Sequence, residues 1–111
     1  MTEAAGCGPH LMVVFTECVE GEDGAFNEWY TGTHVPDVLA LDGFVAVTRF
    51  RQAADPAGAP GRRYLAIWEI EGDLDAARRA LVEGPARAKS NAYDPTKTVV
   101  EFYTPITVRI T

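Results

Sequence analysis

Cysteine, histidine, basic charge and long apolar runs are all scarce in this chain of 111 residues. Two cysteines, Cys7 and Cys18, are too few for a disulfide scaffold. Cys18 ends an apolar stretch, where a free thiol behaves as a small hydrophobe, so both are read as structural. Two histidines, no H-E-x-x-H and cysteine spacing that fits no zinc pattern leave little from which to build a transition-metal site. The longest uninterrupted apolar run, Leu11 to Phe15, is far short of the roughly 20 residues that span a bilayer. The segment Met1 to Gly6 lacks the basic region and apolar stretch of a signal peptide, and the chain is read as cytoplasmic. Sixteen acidic residues against ten lysines and arginines give a net charge of -6. The arginines gather only in the pairs Arg49/Arg51, Arg62/Arg63 and Arg78/Arg79, so neither nucleic acid nor an anionic membrane is an expected partner. Without a P-loop, G-x-G-x-x-G, G-x-S-x-G or Cys/His nucleophile pattern, phosphoryl transfer and dinucleotide-dependent hydride transfer have no machinery, and no cofactor is expected.

What is present suits one folded domain covering residues 1–111. Hydrophobic residues make up 47% and charged residues 23%, close to globular averages. A first strand is predicted from His10 to Cys18, rich in Val, Met and Phe and closed by the turn residues Glu20 to Gly24. Asp23 is placed to cap a helix whose apolar positions Phe26, Trp29, Tyr30, Val35, Val38 and Leu39 follow helical spacing. Pro36 removes a backbone donor and restricts Val35, which predicts a kink or break near Thr33 to Val35 and a second short stretch to Leu41. Asp42-Gly43 closes it. Phe44 to Gln52 and Tyr64 to Glu71 read as an antiparallel hairpin around the Pro- and Gly-rich loop Ala53 to Gly61. Asp73 caps a second helix with Leu74, Ala77 and Leu81 on one face, ended by Gly84-Pro85, with a short helical continuation over Ala86 to Lys89. A long final strand runs from Lys97 to Thr111, with Pro105 marking an edge, bulge or bend.

Strand, helix, strand, strand, helix, strand is the α+β, ferredoxin-like βαββαβ order: a four-stranded antiparallel sheet with both helices on one face. Period-two reading of the third strand puts Tyr64, Ala66, Trp68 and Ile70 on one side and Leu65, Ile67 and Glu69 on the other. The second strand separates Phe44, Ala46 and Phe50 from Val45 and Val47. Both sides are apolar, yet two helices cover only one. Sheet-against-sheet homodimerisation is the economical cover for the other.

The run Phe26-Asn27-Glu28-Trp29-Tyr30-Thr31-Gly32-Thr33-His34-Val35-Pro36-Asp37, continuing through Gly43-Phe44 to Thr48-Arg49-Phe50-Arg51 and matched again at Tyr64 to Ile70, resembles the EthD-like branch of the dimeric α/β-barrel superfamily. The resemblance covers about residues 26–71. It implies two ferredoxin-like protomers joined through their sheets, each with a pocket between sheet and helices. The superfamily includes isomerases, polyketide cyclases, cofactor-free monooxygenases and haem-binding proteins, so the fold does not choose the reaction.

His34 is the leading candidate for catalysis, because an imidazole titrates near neutrality and this one lies where Pro36 interrupts the helical ladder. The plain alternative is a histidine that bonds a helix carbonyl or faces solvent. Tyr30, four residues earlier, shares its face if the helix continues, and its phenol could donate to a developing enolate oxygen. Trp29, Tyr64 and Trp68 are candidate walls for an apolar or aromatic metabolite. Asp37 could orient His34 or simply meet the helix dipole. Glu69 sits among apolar residues; it is either a raised-pKa acid or a partner of Arg49 or Arg51 across the hairpin. His10 is expected to be exposed. The leading function is a small enzyme of the cyclase, isomerase or dehydratase type that moves protons on an apolar, carbonyl-bearing metabolite. The alternatives are a cofactor-free monooxygenase of phenolic polyketides, and a module that binds a hydrophobic metabolite or haem without reacting on it.

Overall fold

A computed structural model describes residues 8–54, 56–58 and 63–111. The expectations for Met1 to Gly6, Cys7 and Arg62, and for part of the loop Ala53 to Gly61, lie outside these residues. Along the chain run β1 (His10–Thr16), α1 (Asp23–Trp29), one π-helical turn (Tyr30–His34), α2 (Val35–Leu39), β2 (Phe44–Arg51), β3 (Tyr64–Ile70), α3 (Leu74–Glu83), a 3-10 turn (Pro95–Lys97) and β4 (Val99–Tyr103). The strands form one antiparallel sheet in the order β2-β3-β1-β4. This is the ferredoxin-like arrangement anticipated from the sequence.

Proline 36 bends the outcome differently from the expectation. The chain stays helical from Asp23 to Leu39, and the residues bounding the π turn, Trp29 and Val35, keep right-handed helical angles. Proline lacks an N–H and its ring crowds the carbonyl four residues back. Here the ladder widens just before it: the Val35 N–H donates to the Tyr30 carbonyl, five residues earlier. A wide turn therefore replaces the expected break. Asp23 is the first helical residue and not the cap. Glu22 holds the cap position without a side-chain bond, and the Asp23 carboxylate instead accepts the Tyr64 hydroxyl at 2.6 Å.

Asp73 does cap α3, accepting the Asp75 N–H at 3.0 Å. Ala77 is buried and Leu74 and Leu81 pack against the core, as their spacing implied. After Gly84 the chain is irregular, so the helical continuation over Ala86 to Lys89 does not form; Pro85 has no N–H to continue the ladder. The last strand is shorter than expected. It pairs with β1 only from Val99 to Tyr103, because β1 begins at His10 and offers Pro105 and the residues beyond it no partner. His10 is half-buried, its Nδ1 3.0 Å from the Thr104 hydroxyl, and so is not the free surface residue expected.

The core lies between the helices and one face of the sheet. Met12, Val14 and Thr16 of β1 and Tyr64, Ala66, Trp68 and Ile70 of β3 are buried there with Phe26, Tyr30, Val38 and Ala77. The alternation predicted for β3 is the one observed. That of β2 is not, because Phe44 stands opposite Ile70 while Ala46 stands opposite Glu69, leaving Val45 as an extra residue. A one-residue bulge reverses the parity of everything after it. Val47, Arg49 and Arg51 thus share the helix-covered face with Trp68, Ala66 and Tyr64, while Ala46, Thr48 and Phe50 lie with Glu69, Ile67 and Leu65 on the outer face. Gly43 makes the preceding turn at φ +95°, and its carbonyl accepts the Glu71 N–H at 2.9 Å. A Cβ there would meet that of Ala77 at 3.3 Å, so both conformation and space call for glycine.

Candidate functional site

The π turn and the strand β3 meet in a cluster of aromatic rings. His34 lies flat against Trp29, with centroids 5.0 Å apart and planes 27° apart. It stands edge-on to Tyr30 at 4.7 Å and to Trp68 at 6.2 Å. Tyr30 and His34 do share a face, since the helical path runs through both. Trp29 is fixed from the other side by the segment after α3: its indole N–H donates to the Ala88 carbonyl at 3.2 Å, and Tyr93 packs on its ring at 5.6 Å. Phe26 closes the group at 5.7 Å from Tyr30 and 5.3 Å from Tyr64.

Electrostatics follow from this packing. Burial among rings pushes the His34 pKa down to about 4; Arg87 and, more weakly, Arg49 add to the effect, and Asp37 opposes it in part. The imidazole is therefore neutral at physiological pH, able to accept a proton at one nitrogen and donate one at the other. Tyr30 is raised above its usual value, chiefly by burial, so its phenol stays protonated; the Trp68 N–H and the Arg49 charge pull the other way without prevailing. That indole N–H lies near the Tyr30 hydroxyl but outside hydrogen-bonding geometry, and it is a fully buried donor with no partner. Among the described residues no group of three or more His, Cys, Asp or Glu side chains is placed to hold a metal ion, and no helix is long and apolar enough to cross a membrane.

No family model and no curated protein matches the sequence. The fold does have a solved counterpart, the crystal structure of an ethyl tert-butyl ether D (EthD) family protein from Bacillus halodurans C-125. The two chains superpose with a TM-score of 0.64 at 15% identity, over 88% of this chain and 99% of that one. This chain has an EthD-like fold.

Within the EthD-like framework the residues singled out from sequence divide into two groups. His34, Tyr30, Trp29 and Trp68 come together, and Asp37 is close enough to act on the His34 charge, although no hydrogen bond joins them. Tyr64 stands at the margin of the cluster, against Phe26 and the Arg49 guanidinium, and its hydroxyl donates to Asp23. Glu69 is on the other side of the sheet. Its expected pairing with Arg49 or Arg51 does not form, because the bulge at Val45 turns both arginines onto the opposite face.

Three contributors were not singled out as site residues. Arg49 reaches the cluster across the bulged strand, its guanidinium 4.3 Å above the Tyr30 ring and bonded at 2.8 Å to both Asn27 Oδ1 and Thr31 Oγ1. The pair Asn27 and Thr31, four apart on the helix face, is the sequence trace that could have disclosed it. Arg87 and Tyr93 come from the irregular segment after Pro85, whose composition carries no periodic signal. Among the described residues one open groove lies at the carboxyl ends of β1 and β2 and another between Gly43 and α3; neither is lined by His34.

Proposed function

We propose that this EthD-like protein is a small enzyme that moves protons on an apolar, carbonyl-bearing metabolite without a cofactor, in reactions of the cyclase, isomerase or dehydratase type. The observation that supports it is the neutral His34 imidazole set in an aromatic wall beside a protonated phenol. An imidazole whose pKa is about 4 is deprotonated at working pH, so it is always ready to take a proton. It is a weak base, and abstraction from carbon then requires that the enolate be stabilised as it forms. The Tyr30 phenol and the Arg49 guanidinium, stacked on one another, supply a hydrogen-bond donor and a positive charge for that purpose. Half-buried Trp29 offers flat apolar surface to a planar substrate, while Trp68, wholly buried, backs the imidazole from the core and is not itself a wall.

Two copies are proposed to join through their outer sheet faces, whose exposed Phe50, Val99 and Tyr103 are otherwise uncovered. The second functional reading is a module that holds a hydrophobic metabolite or haem without reacting on it. It is favoured by the absence of His34 from the lining of both grooves. A cofactor-free monooxygenase acting on phenolic polyketides would use the same rings.

The experiment is deuterium exchange at the α-carbon of an aryl 1,3-diketone such as benzoylacetone, followed by NMR, with dioxygen consumption and visible absorption recorded on the same preparation. His34→Ala is expected to slow exchange by about 10²- to 10⁴-fold, and Tyr30→Phe to slow it by less. Exchange that is catalysed equally by the wild type and by His34→Ala removes the imidazole from the chemistry. Oxygen uptake selects the monooxygenase, and a Soret band without exchange selects haem binding.

A further inference from the structure

Arg49 has a second aspect, on the side away from the rings. Its guanidinium is half-buried, held from behind by the Tyr30 face at 4.3 Å and clamped by Asn27 and Thr31. Both clamps are neutral oxygens. A guanidinium carries five N–H groups, and these two bonds leave the others without a protein acceptor among the described residues. Among the described residues no carboxylate forms an ion pair with it; the Asp23 carboxylate accepts the Tyr64 hydroxyl. A partly desolvated, immobilised and unpaired arginine is costly unless something negative completes it.

Arg49 also lines an open groove of about 1030 Å³ at the carboxyl ends of β1 and β2. Arg49, Arg51, Lys97 and Tyr64 line it together with Glu17, Glu20 and Asp23. The mixture decides the class of ligand. A lone carboxylate matches the planar fork of a guanidinium. Three carboxylates offset the three cations, so the groove carries no surplus positive charge for a polyphosphate or other multiply charged anion. Tyr64 adds a flat ring beside the arginine.

We infer that this groove is a binding site for a small organic monocarboxylate, preferably aromatic, anchored by Arg49. The inference goes beyond the His34 reading and does not depend on it, because His34, Trp29 and Tyr30 do not line this groove.

The test is an NMR titration of the ¹⁵N-labelled full chain with sodium benzoate, following the Arg49 Nε–H resonance and the amide of Tyr64, with sodium pyrophosphate as the competing probe. Saturable shifts at both positions are expected with benzoate, weakened about tenfold or more in Arg49→Lys, which keeps the charge and loses the fork. Should Arg49→Lys fail to fold, the Nε–H shift in the wild type decides alone. Absence of saturable benzoate shifts at Arg49 overturns the site. Pyrophosphate shifting the same resonances at lower concentration than benzoate overturns the monocarboxylate assignment, and unchanged benzoate affinity in a folded Arg49→Lys overturns Arg49 as the anchor.

Discussion

The two faces of the sheet are built from the same four strands and are both apolar, yet they have different fates. On the helix side Trp68 and Ile70 are wholly inaccessible and Tyr64 is 6% exposed. On the outer side Leu65 and Ile67 of the same strand are only half-buried, and Phe50 and Tyr103 at the sheet edges are about half exposed, at 45% and 50%. Alternation along a strand divides residues between faces but does not choose which face receives a cover. What decides is the number of helices available, and two helical segments cover one face. The uncovered face is therefore where the proposed second copy would sit.

The comparison can be broken first where the effect is largest. Trp68→Ala empties the centre of the covered face and is expected to cost about 3–5 kcal/mol of unfolding free energy, read from denaturant melts. The neighbouring Ile67→Asp should leave the far-ultraviolet circular dichroism of the fold intact and instead turn the proposed dimer into a monomer in light scattering. A wild-type chain that is already monomeric at micromolar concentration sinks the dimer. A smaller effect separates the faces by pH. The folded-state pKa of His34 is depressed from 6.5 to about 4, so between those values the unfolded chain binds more protons than the folded one. Stability is then complete above pH 6.5 and falls as the pH drops toward 4. The loss at the acid end should be on the order of 1 kcal/mol once partial exposure is allowed for, and His34→Gln should flatten that slope in thermal melts. Smallest of all, Asp73→Ala removes the α3 cap and should cost about 1 kcal/mol, lowering the melting temperature without altering assembly.

Much of this architecture was legible in the residues. The uninterrupted alternation from Tyr64 to Ile70 assigned both faces of β3 correctly, and Asp73 announced α3, because in each case the deciding interaction is local. The Tyr30–His34 face was legible for the same reason. Arg49 was not, since its side of the sheet depends on which residue of β3 stands opposite Val45, and pairing partners are not encoded in a strand's own composition. Nor was the role of Arg87, Ala88 and Tyr93, which lie in an irregular segment: Ala88 and Tyr93 meet Trp29 through a carbonyl and a ring, and Arg87 acts on the His34 charge. The same bulge that moved the arginines removed the expected Glu69 pairing.

Val45 also bears on how this chain is to be aligned with others. Counting residues from Gly43, a relative that lacks the extra position would have the residue in the slot that Arg49 fills here matched to Thr48, on the outer face. At 15% identity a single gap decides whether the guanidinium is read as part of the interior or as decoration of the surface. Deleting Val45 from this chain tests that arithmetic directly. With the unpaired residue gone, Phe44, Ala46, Val47, Thr48 and Arg49 alternate directly, so Arg49 should keep its place over Tyr30 and Phe50 should stay on the uncovered face.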